Sequence, residues 1–105
     1  MRQVILYCPT DDCECCPALF LSGRPERPFA IMDETEPRGT VFLTEAELNS
    51  LGTDAPLIEI ISGDNDVTLV GSDTSQIVMT TAYYQRLTGS IRDGSTEKAV
   101  KAAAV

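Results

Sequence analysis

Apolar positions in this chain fall in short runs set apart by Gly, Pro, Asp and Ser. Residues 4–7, 18–21, 41–43 and 77–79 are apolar throughout, while residues 57–61 and 67–70 carry a polar interruption. Runs of this length, rich in Val, Ile, Leu and Phe and bounded by turn residues, predict strands. Strands without alternation need cover on both faces. Helical signals occur twice. Thr44 followed by Glu47 is a capping box, with Gly52 placed to take a left-handed C′ position, and Thr80 or Thr81 with Gly89 repeats the arrangement.

These two junctions belong to a longer internal match. Residues 41–51 parallel residues 77–87, residues 18–22 parallel 58–62, and residues 29–33 parallel 67–71, so the offset falls from 40 to 38 to 36. Each copy reads strand, strand, strand, helix. The expectation is a strand-dominated α+β fold, a small barrel or sandwich built from two such repeats at 18–52 and 57–89. They lie within one β-rich domain over residues 1–89, and a C-terminal helical arm follows at 90–105. Two short helices cannot cover that much apolar strand surface, so either the strands close on themselves or a neighbouring chain supplies the cover.

Charge narrows the functional classes. The 105 residues hold 8 basic and 16 acidic side chains, net −8. That sign is wrong for a protein that works by neutralising phosphates or anionic lipid, so neither direct nucleic-acid binding nor a membrane is expected. There is no histidine, which removes imidazole bases, His-based triads and His metal ligands. Neither GxGxxG nor GxxxxGK[ST] occurs, and Lys98 and Lys101 are the only lysines. No run reaches the length of a membrane span, and the apolar run at 4–7 is too short for a signal peptide, so the expected location is the cytoplasm or a virion.

Four cysteines, Cys8, Cys13, Cys15 and Cys16, crowd one loop between the first two strands. Four sulfurs could hold zinc or an iron–sulfur cluster. Their spacing departs from the two Cys-x2-4-Cys knuckles of structural zinc sites, and Asp11, Asp12 and Glu14 would crowd an anionic tetrathiolate. The same acids raise thiol pKa values, which argues against a catalytic cysteine. Free thiols or one local disulfide are the alternatives, and no cofactor is the main expectation. Ser62-Gly63-Asp64-Asn65-Asp66 reads as a polar hairpin turn, since the frame of a calcium loop is missing. Tyr83, Tyr84 and Leu87 fall at helical spacing and read as core. Residues 76–87, a strand, a Thr cap and a helix with Tyr and Leu, resemble the middle of Phd-type antitoxins. The basic DNA-binding part of that family has no counterpart here, so no function is carried over.

The charge is uneven. Residues 1–85 carry four basic and fourteen acidic side chains, net −10, and residues 86–105 carry four and two, net +2. No Lys or Arg lies between Arg38 and Arg86, a stretch holding Glu45, Glu47, Asp54, Glu59, Asp64, Asp66 and Asp73. Residues 97–105 form helix readily but are too short to be stable alone. The expectation is therefore a non-enzymatic structural or protein-interaction subunit, a homo- or hetero-oligomer such as a viral head, neck or cement component. Val100, Ala103 and Ala104 would be the apolar stripe of a partner-binding arm, and Lys98 and Lys101 its rim. The alternatives are an acidic inhibitor that imitates nucleic-acid charge against a nuclease or CRISPR-type effector, and a small metal-binding cysteine-loop protein.

Overall fold

A computed structural model describes residues 2–7, 17–33 and 39–103. The described strands are β1 (Arg2–Leu6), β2 (Pro17–Leu21), β3 (Phe29–Asp33), β4 (Gly39–Leu43), β5 (Glu59–Ser62), β6 (Asp66–Val70) and β7 (Gln76–Thr80). The helices are α1 (Glu45–Ser50), α2 (Thr81–Arg92) and α3 (Ser95–Ala103). The fold is α+β and strand-dominated. Where the sequence left barrel and sandwich open, the strands form one antiparallel sheet in the order β1-β2-β3-β4-β7-β6-β5, with β1 and β5 at its two edges.

The sheet order displays the internal repeat. Ile31 pairs with Val41 across β3 and β4, and Leu69 pairs with Ile77 across β6 and β7, at the offsets of 38 and 36 read from the sequence. One offset changes. Leu19 pairs with Ile31 and Ile60 pairs with Leu69, so the first strand of each copy is displaced by 41 rather than 40. A slip of one residue turns a strand over, and the 41-residue offset matches core-facing Leu19 to Ile60 instead of to exposed Glu59. The halves meet where Thr40 pairs with Gln76, its own equivalent 36 residues on, so a pseudo-twofold axis passes through that pair. Strand β1 and helix α3 lie outside the repeat.

The seam depends on Gly39. Its φ is +110°, and a Cβ there would stand 2.1 Å from the Gln76 carbonyl oxygen. Only glycine has neither the strain nor the collision. Beyond the seam, both repeats enter their helix in the same way. The Thr44 hydroxyl accepts from the Glu47 amide at 3.1 Å while Glu47 Oε1 accepts from the Thr44 amide at 2.9 Å, and the Thr80 hydroxyl accepts from the Tyr83 amide at 3.3 Å. Each cap satisfies an amide that the first helical turn leaves without a partner.

The helix ends differ from the sequence reading. Gly52 does not adopt positive φ. Its missing side chain instead admits α2, because a Cβ would lie 2.7 Å from Ile91 Cγ2, and Arg92 Nε donates to the Gly52 carbonyl at 3.0 Å. Gly89 sits inside α2, which continues to Arg92. The left-handed residue is Gly94, at φ +86°. The helices pack on one face of the sheet, where Leu48, Leu51 and Leu87 join Leu19, Ile31, Val41, Leu69 and Ile77 in a single core shared by both halves.

Candidate functional site

The C-terminal residues were expected to reach outward, and the structure instead holds α3 against its own chain. The Thr96 hydroxyl is buried, sharing hydrogen bonds with the Tyr7 hydroxyl at 3.0 Å and the Ser90 hydroxyl at 2.8 Å. Arg2 Nη1 donates to the Ala103 carbonyl at 2.9 Å. Val100 packs against the shared core rather than standing on a free stripe, and Lys101 pairs with Glu97 at 3.0 Å. The buried Tyr7 hydroxyl and the apolar core thus give Thr96 and Val100 of α3 partners within the same molecule. Lys98 is exposed, Ala103 is half-buried, and Ala104 lies outside the described residues.

Hollows among the described residues border α3. One of about 230 Å³ is lined by Ile5, Tyr7, Arg86, Ser90, Asp93 and Ser95. Another, of about 200 Å³, is lined by Phe29, Leu48, Thr96, Val100 and neighbouring polar residues. Tyr7 is the one buried titratable group in the first, and burial pushes its phenol up to about 12 against the opposing pull of the Thr96 hydrogen bond. It stays protonated near neutrality and is no base.

The cysteine set, Cys8, Cys13, Cys15 and Cys16, lies outside the described residues. The strands it joins do pair antiparallel, and the Tyr7 amide donates to the Pro17 carbonyl at 2.9 Å at the base of that hairpin. Among the described residues no group of three His, Cys, Asp or Glu side chains could hold a metal ion. Residues 62–66 form the turn between β5 and β6, closed by the Gly63 amide donating to the Asp66 carbonyl at 2.8 Å. Tyr83 and Tyr84 are half-buried against the core.

Two of the seven midchain acids serve the fold itself. Glu47 is buried, capping α1 and accepting from the Ser72 hydroxyl at 2.8 Å. Asp73 accepts from the Ser75 hydroxyl, which holds its carboxyl below the usual range, and faces Arg27 at 3.7 Å. Glu45, Asp54, Glu59, Asp64 and Asp66 are exposed.

The remaining feature is the sheet face turned away from the helices. In the first half it carries a second apolar cluster, with Ala18, Phe20 and Ala30 buried and Met32 and Phe42 half-buried around them. Arg24, from the turn after β2, lies 4.0 Å over the Phe42 ring. The repeat maps Phe20, Ala30 and Phe42 onto Ile61, Thr68 and Val78, which likewise pair across one row of the sheet. Their exposure is different. Phe20 is 2% exposed and Ile61 is 50% exposed, with Thr68, Val70 and Val78 half-buried. The covering turn explains part of the contrast, since residues 22–28 separate β2 from β3 while only residues 63–65 separate β5 from β6.

The second half therefore presents Ile61 and Val78, with Thr68 between them, in a row that ends at the sheet edge, flanked on the same face by exposed Glu59 and Asp66. Leu57, just before β5, is 62% exposed. Sequence reasoning missed this face because Phe20 and its exposed equivalent Ile61 are both apolar. The signal was the difference in turn length between the copies. No helix among the described residues is long and apolar enough to cross a membrane. In comparison with known proteins, the chain matches no family model, no curated protein and no solved structure.

Proposed function

We propose that this protein is a non-catalytic interaction subunit of a larger protein assembly, and that it docks a basic, partly apolar protein surface on the open sheet face of its second half. The observation that carries this reading is the unequal cover of equivalent positions, Phe20 at 2% and Ile61 at 50% exposure. An exposed apolar residue such as Ile61, with half-buried Val70 and Val78 on the same face and charge at the rim, is a feature of protein-binding surfaces. The exposed Glu59 and Asp66 set the sign of the partner, and no Lys or Arg between Arg38 and Arg86 offsets them in sequence. The lack of histidine and the neutral Tyr7 phenol support a role in binding rather than chemistry.

Site-specific photo-crosslinking in cells tests it. A photoreactive residue in place of half-buried Val78 is expected to give a discrete adduct with another protein, whereas the same residue in place of Gln85, exposed on α2, should not. Adducts from both positions alike, or none from position 78, would remove the docking face.

A further inference from the structure

We infer that the β5 edge receives an extended segment of a partner protein as an eighth, antiparallel strand, in the register that β1 takes on β2. The inference rests on the docking face above and states how a partner engages it. The repeat makes β5 the equivalent of β2. Strand β2 has β1 on one side and β3 on the other, whereas among the described residues β5 pairs with β6 alone. The second half thus has a vacant lane where the first half shows what fills it.

The two edges of the sheet are also managed differently. A register shift between Gln3 and Ile5 interrupts β1, and Arg2 is tied to the Ala103 carbonyl beneath α3. Bulges and charged residues are the usual devices that stop an edge from recruiting another strand. Strand β5 pairs with β6 without a shift, holds no Pro and carries the half-exposed Ile61, and its single charge, Glu59, repels acidic segments but welcomes a basic one. Its backbone can add a strand, and alternate side chains can select which one.

The register specifies the chemistry of the incoming segment. Arg2, Gln3, Ile5 and Leu6 lie opposite Leu21, Phe20, Leu19 and Ala18. The same positions on the second half lie opposite Ser62, Ile61, Ile60 and Glu59. Ile60 is half-buried and packs on the core, as Ile5 does beside Leu19, so the residue opposite it is aliphatic. The residue opposite Glu59 shares the outer face with that carboxylate and is Lys or Arg. Asp64 and Asp66 lie at the other end of β5, beyond Ser62, and favour a basic residue at the position opposite Ser62, where β1 has Arg2.

The probe is a capped peptide with the sequence of residues 2–7 carrying Leu6→Lys, titrated into the isotope-labelled full chain. Binding should be saturable, shift the backbone amides of residues 59–62 and slow their hydrogen exchange. Glu59→Lys, a change at an exposed site, should weaken binding about tenfold, and raised salt should weaken it for the parent chain. Peptide binding that leaves residues 59–62 unshifted, or no binding at all, overturns the added strand. Protection of the same amides that grows with protein concentration in the absence of peptide overturns it in favour of pairing between two copies. Crosslinks from position 78 that persist when β5 ignores the peptide would retain the docking face and remove only the strand.

Discussion

Gly39 carries more of the architecture than its size suggests. It stands at the one place where the halves exchange backbone pairs, with positive φ and the Gln76 carbonyl within 2.1 Å of any added Cβ. Gly23 gives a built-in comparison, since its φ is +80° but nothing lies within 4 Å of its Cβ position. Gly23→Ala should cost about 1–2 kcal/mol, the strain of a left-handed residue alone. Gly39→Ala should cost roughly 2 kcal/mol more, because the strand must also retreat from the seam. Urea unfolding of the two variants measures both. Equal losses would mean that the seam yields freely and that Gly39 matters only for its dihedral angle.

At the scale of elements, the two β-β-β-α units share their caps as well as their pairing. Thr44→Ala and Thr80→Ala each remove a hydroxyl that satisfies an N3 amide, and each should lower unfolding free energy by about 1 kcal/mol. Denaturant midpoints check this, and a variant indistinguishable from the parent would show that its cap is replaced by water. These caps were legible in the sequence because they are local, a Thr followed three residues later by the amide it serves. Strand positions were legible for the same reason, and the offsets of 38 and 36 carried over to the register unchanged. The first strand slipped by one because both faces of residues 18–21 are apolar, which erases the alternation that fixes which side is which. Sheet order left no local mark either, since β7 reaches β4 across the whole second repeat. The end of α2 was misread because Gly89 resembles a stop, while the residue that turns left-handed is Gly94. The docking face became visible only once register had matched Phe20 to Ile61, an apolar pair that differs in cover rather than in composition.

For the molecule as a whole, the contact between α3 and β1 decides how far the ends of the described chain are held. Its buried centre is Tyr7, hydrogen-bonded to Thr96. With its folded-state pKa raised from 10.0 to about 12, the phenol contributes stability that is complete below about pH 10 and is lost as pH rises toward 12. Thermal unfolding across that window should show an alkaline decline that Tyr7→Phe makes shallower, with the variant less stable than the parent at neutral pH for want of the Thr96 hydrogen bond. A decline of the same slope in both proteins would assign it to other groups. Every strand pairing except β4 with β7 joins consecutive strands, so each half is a meander whose closures are short. Among the longer closures, one spans 36 residues from Thr40 to Gln76 and another 89 residues from Tyr7 to Thr96. In polymer terms the second costs about 0.8 kcal/mol more than the first, a small difference because closure entropy grows only with the logarithm of length. The larger cost is meeting at all, and the extra length between Tyr7 and Thr96 adds little to it.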